Sequence, residues 1–203
     1  QGCIMSRLVH GIGINDKKYP TEVGGKVAKE YCLWHHMLFR CTPKYWDKHP
    51  TYTNTNCSES FKSYSFFYEW CQTQVGFNNT GDTGRSWNLD KDILIKGNKH
   101  YSEDVCVFVP SNINLLLTKR DTSRGEYPVG VRWHEKDKKF HSRCSDGFGK
   151  PKHLGCFSTA KEAFLAYKNC KEATVKQVAN KYKHQLDARV YNALMNYEVN
   201  IND

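Results

Sequence analysis

Asp90 and Asp92 stand two residues apart in "WNLDKDIL", and Asn112 and Asn114 stand two apart in "SNINLLL". Carboxylates and side-chain amides are hard oxygen donors, the kind that hold Mg²⁺ or Mn²⁺. Mg²⁺ takes one or two protein oxygens and keeps water in its other positions. An ion held in that way can clamp a phosphate oxygen and the leaving oxygen of a phosphodiester. The chemistry these residues suit is therefore metal-assisted phosphodiester hydrolysis, with one ion on Asp90 and Asn114 and with Asn112 as the fallback ligand. The attacking water needs a base. Lys91 follows Asp90 directly, but a lysine serves poorly at neutral pH unless its pKa falls far. Asp92 and His100 are the alternatives, and an imidazole has the better intrinsic pKa. Spacing alone does not decide the matter. Acids two apart also mark a solvated strand edge, and Asn near a helix start is often a cap.

These residues need elements to carry them. "WNLDKDIL" and "CVFVP" read as two short strands, with a turn at Gly97-Asn98 between them. "SNINLLLTKR" reads as a helix after Pro110, with Ser111 as its N-cap. Asp90 then lies on the first strand and Asn114 on the first helical turn. Upstream, residues 31–46 suit a short helix stopped by Pro43. Residues 60–75 suit a second helix, with Phe61, Tyr64, Phe67, Tyr68 and Cys71 on one face. Residues 1–30 hold four glycines besides Gly2, with Pro20, and little periodicity, which predicts an irregular arm.

The back of the chain has another texture. Residues 118–128 are polar and predict a linker. Beyond it, "VGVRWHE", "KKFHSRCS" and "PKHLGCF" predict three strands, and "STAKEAFLAYKNCKEATVKQVANKY" predicts a helix opened by a Thr159/Glu162 capping box. A helical tail covers 188–203. Period-2 alternation puts Arg132 and His134 on one face and Val131 and Trp133 on the other. Lys139, His141 and Arg143 fall together on the next strand, and Lys152 and His153 join from the third. Long cations on a sheet face can reach phosphates and base edges in a DNA groove. A solvated sheet face is the plainer alternative.

Composition agrees with a polyanionic partner. The 203 residues carry a formal charge of +9, and 13% are aromatic. The mean hydropathy is −0.71 and the pI about 9.0. From residue 118 onward there are 17 Lys/Arg against 10 Asp/Glu, while the earlier part has 13 against 11. The polyanion signal thus sits at the back and the acids at the front. Nothing approaches the roughly 18 apolar residues of a spanning helix, so no membrane partner is expected. The N-terminus reads without a secretory signal. Nine scattered cysteines, an odd number, predict reduced thiols in a cytosol. Cys32, His36, Cys41, Cys57 and Cys106 offer donors for a structural Zn²⁺. The absence of any C-x-x-C favours buried thiols instead.

Two resemblances sharpen the reading. Residues 31–117 resemble phage HNH-type nucleases of the ββα-metal superfamily. The text that carries this is Trp34, Met37, Arg40 and Cys41, then Trp70, then Leu89-Asp90-Lys91, then Tyr101-Ser102-Glu103 with Cys106 and Phe108, and last Asn112 and Asn114. That resemblance implies Asp90 as first metal ligand and Asn114 as second. Two positions depart from the pattern: Lys91 stands where relatives carry the base, and Val105 where an asparagine braces the loop. Asn98 is the substitute brace. Residues 127–172 closely resemble the Apetala-type, ethylene-response-factor DNA-binding domain through "GVRW", "HLGCF" and "TAKEAFLAY". It implies DNA contacts from Arg132, Trp133, Lys139, Arg143 and Lys152, to which the strand pattern adds His153.

The expected fold is therefore α+β: an irregular arm (1–30), a ββα-metal nuclease domain (31–117), a linker (118–128), a three-stranded antiparallel sheet with one helix (129–187) and the tail. The expected activity is site-directed hydrolysis of double-stranded DNA by a phage-encoded, homing-like endonuclease in the bacterial cytoplasm. Its catalytic set is Asp90, Asp92, His100 and Asn114, with one Mg²⁺ or Mn²⁺. The alternative is a DNA-binding regulator with a degenerate nuclease domain. An RNA-binding protein that stacks bases on its aromatic front is a third reading.

Overall fold

The computed structural model describes residues 8–118 and 125–203. Residues 1–7 of the expected arm and 119–124 of the expected linker lie outside the described residues. The chain is of the α+β class and divides into two compact units. The first comprises residues 1–80 and 86–108. The second comprises 81–85 and 109–203. The division thus falls before the helix of Asn112 and Asn114, not after it as the sequence suggests.

Unit 1 begins with a hairpin of β1 (Glu22–Val23) and β2 (Lys26–Val27). The arm is less irregular than expected, because it is pinned to the helices that follow. Tyr64 donates its hydroxyl to the Pro20 carbonyl at 2.9 Å, and the Tyr19 ring stacks on Tyr68 at 4.0 Å. Gly13 lies so close to α1 (Lys29–Arg40) that a Cβ there would meet the Leu38 side chain at 2.2 Å. Pro43 does not merely stop that helix. It is the first residue of a separate turn, α2 (Pro43–Trp46), where its missing N–H costs nothing.

The second expected helix is also broken in two, α3 (Glu59–Lys62) and α4 (Tyr64–Thr73). Ser63 adopts an extended backbone and its hydroxyl accepts from the Phe66 N–H, so it caps α4 and excludes itself from the helix. The aromatic face packs as expected. Phe61, Tyr64 and Phe67 are wholly buried with Trp34, Met37, Leu38 and Phe108.

Four short strands complete unit 1. β3 (Asn56–Cys57) pairs in parallel with β5 (His100–Tyr101). β4 (Asn88–Asp90) pairs with β6 (Val107–Val109). The expected strands are β4 and β6, whereas β3 and β5 carry no sequence signal.

In unit 2, α5 (Ser111–Leu117) opens with Pro110, not Ser111, at the cap position and has no side-chain cap. Lys171 donates its ammonium to the Leu116 carbonyl, which ties α5 to α6 (Ala160–Lys181). The expected three-stranded antiparallel sheet is present, in the order β7 (Val131–His134), β8 (Lys139–Ser145), β9 (Pro151–Phe157). The capping box at Thr159 and Glu162 starts α6. Cys144, Phe164, Tyr167 and Val199 form the core between sheet and helix, with Val131, Leu154 and Cys170 against it. Gly130 has φ +79°, and a Cβ there would lie 2.0 Å from the Tyr167 ring. The tail forms α7 (Ala188–Met195), with Asp187 capping it through the Arg189 N–H.

Candidate functional site

Asp90 ends β4 and its backbone enters a tight loop. One carboxyl oxygen accepts from the N–H of Asp92 at 2.9 Å and of Ile93 at 2.8 Å, an Asx-type turn that fixes the carboxyl. Burial lifts the Asp90 pKa to about 6, with the negative charge of Asp92 adding to the effect. Both acids therefore act on one small volume, Asp90 from within and Asp92 from the exposed side.

Lys91 is only 8% exposed. Its ammonium lies 3.3 Å from Asp92 Oδ2 and within 5.4 Å and 5.7 Å of the ring centres of Tyr52 and Tyr101. Aromatic faces suit a desolvated cation. A second cation, Arg40, reaches the Tyr101 hydroxyl at 3.5 Å. Burial opposes its charge, but the hydroxyls of Tyr101, Tyr52 and Tyr45 around it push its pKa up further still. Burial raises the Tyr52 and Tyr101 hydroxyls as well.

Asn98 is the brace that the sequence leaves to it. Its side-chain amide donates to the carbonyls of Lys91 at 2.7 Å and His100 at 2.8 Å, and its oxygen accepts from the His100 N–H at 3.1 Å. That clamp draws His100 to the loop that carries the acids. His100 is exposed, and its Nδ1 is hydrogen-bonded to Asn56 Oδ1. An amide oxygen only accepts, so Nδ1 is the donor in this pair.

The structure thus brings Asp90 and Asp92 together in unit 1, while His100 is tied to their loop only through its backbone and its ring lies against Asn56 and near Glu103. Asn112 and Asn114 lie on α5 in unit 2. Asn112 Oδ1 accepts from the Ile113 N–H, a local bond within α5. Sequence reasoning missed Tyr52, whose hydroxyl feels the charge of both acids. Its signal was faint: a tyrosine two places after Pro50.

The suggested zinc donors gather only in part: Cys41 and Cys57 are hydrogen-bonded to each other, with the Cys106 thiol near Cys41. The eight described cysteines are free thiols. Cys32 approaches His36 at 3.8 Å, while Cys41 donates to the Met37 carbonyl and Cys106 is buried. Among the described residues, groups of three or more donors able to share an ion occur on the sheet of unit 2 and not here.

On that sheet the register sorts the residues by face. Directly opposed residues share a face. Arg132 opposes His141, His141 opposes Cys156, and His134 opposes Lys139. Between Ser142 and Arg143 the register shifts by one, which leaves an extra residue in β9. Arg143 therefore opposes His153, and Lys152 opposes the buried Cys144. One face carries Arg132, His134, Lys139, His141, Arg143, His153 and Cys156. Trp133 opposes Phe140 with ring centres 4.9 Å apart, on the face that carries Val131 into the core. Of the six expected DNA contacts, Arg132, Lys139, Arg143 and His153 share the outer face. Trp133 and Lys152 fall on the other face. The shift after Ser142 inverts the alternation for Lys152, and the Phe140 partnership holds Trp133.

No family model matches this chain, nor does any curated protein or solved structure compared with it. Among the described residues, no helix is long and apolar enough to cross a membrane.

Proposed function

We propose that this chain is a metal-dependent endonuclease that binds duplex DNA with the outer face of its three-stranded sheet and cuts it at the acids of unit 1. In this reading unit 1 is of the HNH type and unit 2 of the Apetala type. The observation that carries the cutting half is the paired carboxyls of Asp90 and Asp92, one raised to about 6 by burial and by the other. Such a pair fits a hard divalent ion, whose charge offsets the burial and the Asp92 repulsion that raise the Asp90 pKa. Asn114 belongs to the other unit, so the proposal rests Mg²⁺ or Mn²⁺ on Asp90 and Asp92. An ion held there would supply Lewis-acid stabilisation of the charge that builds on the phosphate and the departing oxygen. His100 Nε2 takes the proton of the attacking water. Lys91 adds positive charge beside the acids, where phosphate would lie.

The DNA half rests on three cations and a histidine of one sheet face, Arg132, Lys139, Arg143 and His153, backed by α6. Guanidinium groups fork onto guanine, while lysine and histidine neutralise phosphate.

One observation favours the second reading, a DNA-binding regulator that no longer cuts. The Lys91 ammonium sits 3.3 Å from Asp92 and already gives that carboxylate a cationic partner. A single duplex assay separates the two. Binding is measured in EDTA, and Mn²⁺ is then added to the same complex. The endonuclease predicts strand scission on addition of the ion. The regulator predicts that the complex persists with intact DNA.

A further inference from the structure

The segment "HEKDKKFH", residues 134–141, closes the turn between β7 and β8. His134 Nδ1 lies 3.1 Å from Asp137 Oδ2, and His141 Nε2 lies 2.8 Å from the same oxygen. The two imidazole rings are stacked, 4.4 Å apart and 17° from parallel. One carboxylate oxygen thus faces two ring nitrogens. His141 is hydrogen-bonded to it, but His134 Nδ1 is buried and makes no hydrogen bond among the described residues. A buried ring nitrogen that lies 3.1 Å from a carboxylate oxygen yet makes no hydrogen bond to it is a geometry that a shared ion would satisfy.

We propose that His134, Asp137 and His141 bind one divalent transition-metal ion of the Zn²⁺ class, with water in the open position. The chemistry fits. Imidazole nitrogen and carboxylate oxygen are the donors of borderline ions, and two histidines with one carboxylate form a recognised three-ligand set. Two donors each about 2.0–2.1 Å from an ion at the tetrahedral angle are about 3.3 Å apart. The two nitrogen–oxygen separations of 2.8 Å and 3.1 Å fall a few tenths of an ångström short of that value, so small side-chain rotations would open the site. All three donor atoms lie within 4.8 Å of one another. The ion would fasten the end of β7, the turn and the middle of β8. Lys138, which has φ +50° in that turn, would then sit in a loop closed by metal and not only by backbone hydrogen bonds. The inference stands apart from the DNA-reading proposal and holds whether or not the sheet binds DNA.

The neighbouring trio of His141, His153 and Cys156 also lies within 4.8 Å, with Cys156 Sγ 3.8 Å from His153 Nε2. Both of those partners are exposed, and no orphaned nitrogen points among them in the described residues. The hairpin trio is the better-defined set.

The test strips the full chain of metal with a chelator and titrates it with Zn²⁺ by calorimetry. The parent chain is compared with Asp137→Asn, His134→Asn and Cys156→Ser, each checked for fold by circular dichroism. The proposal expects the first two to bind at least tenfold more weakly at one site, and Cys156→Ser to bind like the parent. Ring resonances of His134 and His141 in the unaltered chain, followed by NMR as Zn²⁺ is added, give a readout that needs no variant. They should move together at one equivalent. Binding that Cys156→Ser abolishes and Asp137→Asn leaves alone would overturn the assignment. So would equal binding by all four chains, ring resonances that stay put, or no binding.

Discussion

The Asn98 side chain donates to the Lys91 carbonyl at 2.7 Å, and through its second amide hydrogen reaches the His100 carbonyl. One amide therefore locks the loop of the acids to the strand of the candidate base. Asn98→Ala removes both of these bonds and the one its oxygen accepts from the His100 N–H, leaving two carbonyls and an N–H to find water. A loss of about 1–3 kcal/mol in unfolding free energy is expected, measured by urea denaturation. Asn98→Asp should lose a similar amount, because a carboxylate cannot donate.

The Asp90 carboxyl gives the pH dependence its sign. Its folded pKa is about 6, against an unfolded value near 3.9. The folded state therefore binds more protons between those values. Stability contributed by the protonated acid is present below pH 4 and lost as pH rises through 6. The loss is about 3 kcal/mol. Asp90→Asn keeps the oxygen that accepts from Asp92 and Ile93 but cannot ionise. Thermal melts should find it more stable than the parent at pH 8, with the gain gone at pH 4. Mg²⁺ should raise the parent's Tm at pH 8 and leave the variant's unchanged.

Gly130 admits no side chain. A Cβ would meet the Tyr167 ring at 2.0 Å, on a backbone with φ +79°. Gly130→Ala should cost about 3 kcal/mol or more, combining overpacking with left-handed strain. Near-ultraviolet circular dichroism should record the loss of Tyr167 packing.

The sheet register predicts which cations matter for DNA. Arg132→Ala and Arg143→Ala should each weaken duplex binding, and each should lower the salt slope by about one if the contact is to phosphate. Lys152→Ala should change affinity far less, since Lys152 opposes Cys144 on the other face. Fluorescence anisotropy across a salt series reads both effects.

How far these features were legible depends on whether they were local. The sheet and helix of unit 2 announce themselves through strand-length runs and the Thr159/Glu162 box, both encoded within a few residues. Asp90, Asp92 and His100 are legible as chemistry, because residue type and a Gly-Asn turn suffice. The pairing of Asn56 with His100 spans 44 residues with two-residue strands, and no periodicity fits in so short an element. The break at Ser63 is a contest between an aromatic stripe and a serine that caps. The stripe hides the serine from a pattern reading. Lys152 was misplaced because one extra residue in β9 inverts the faces beyond it, and a bulge leaves no mark in composition. The orphaned His134 nitrogen is likewise a matter of three-dimensional placement: "HEKDKKFH" looks like a charged turn until the rings stack.

The most direct test of the central claim is nicking of supercoiled plasmid in Mg²⁺ or Mn²⁺ by the full chain beside Asp90→Ala and Asp92→Ala, all three shown to be folded. The account predicts relaxed circles from the parent, none in EDTA, and a loss of at least a hundredfold in rate in both variants. Nicking that survives in Asp90→Ala, or a parent chain that binds the plasmid tightly and leaves it supercoiled with either ion, contradicts it.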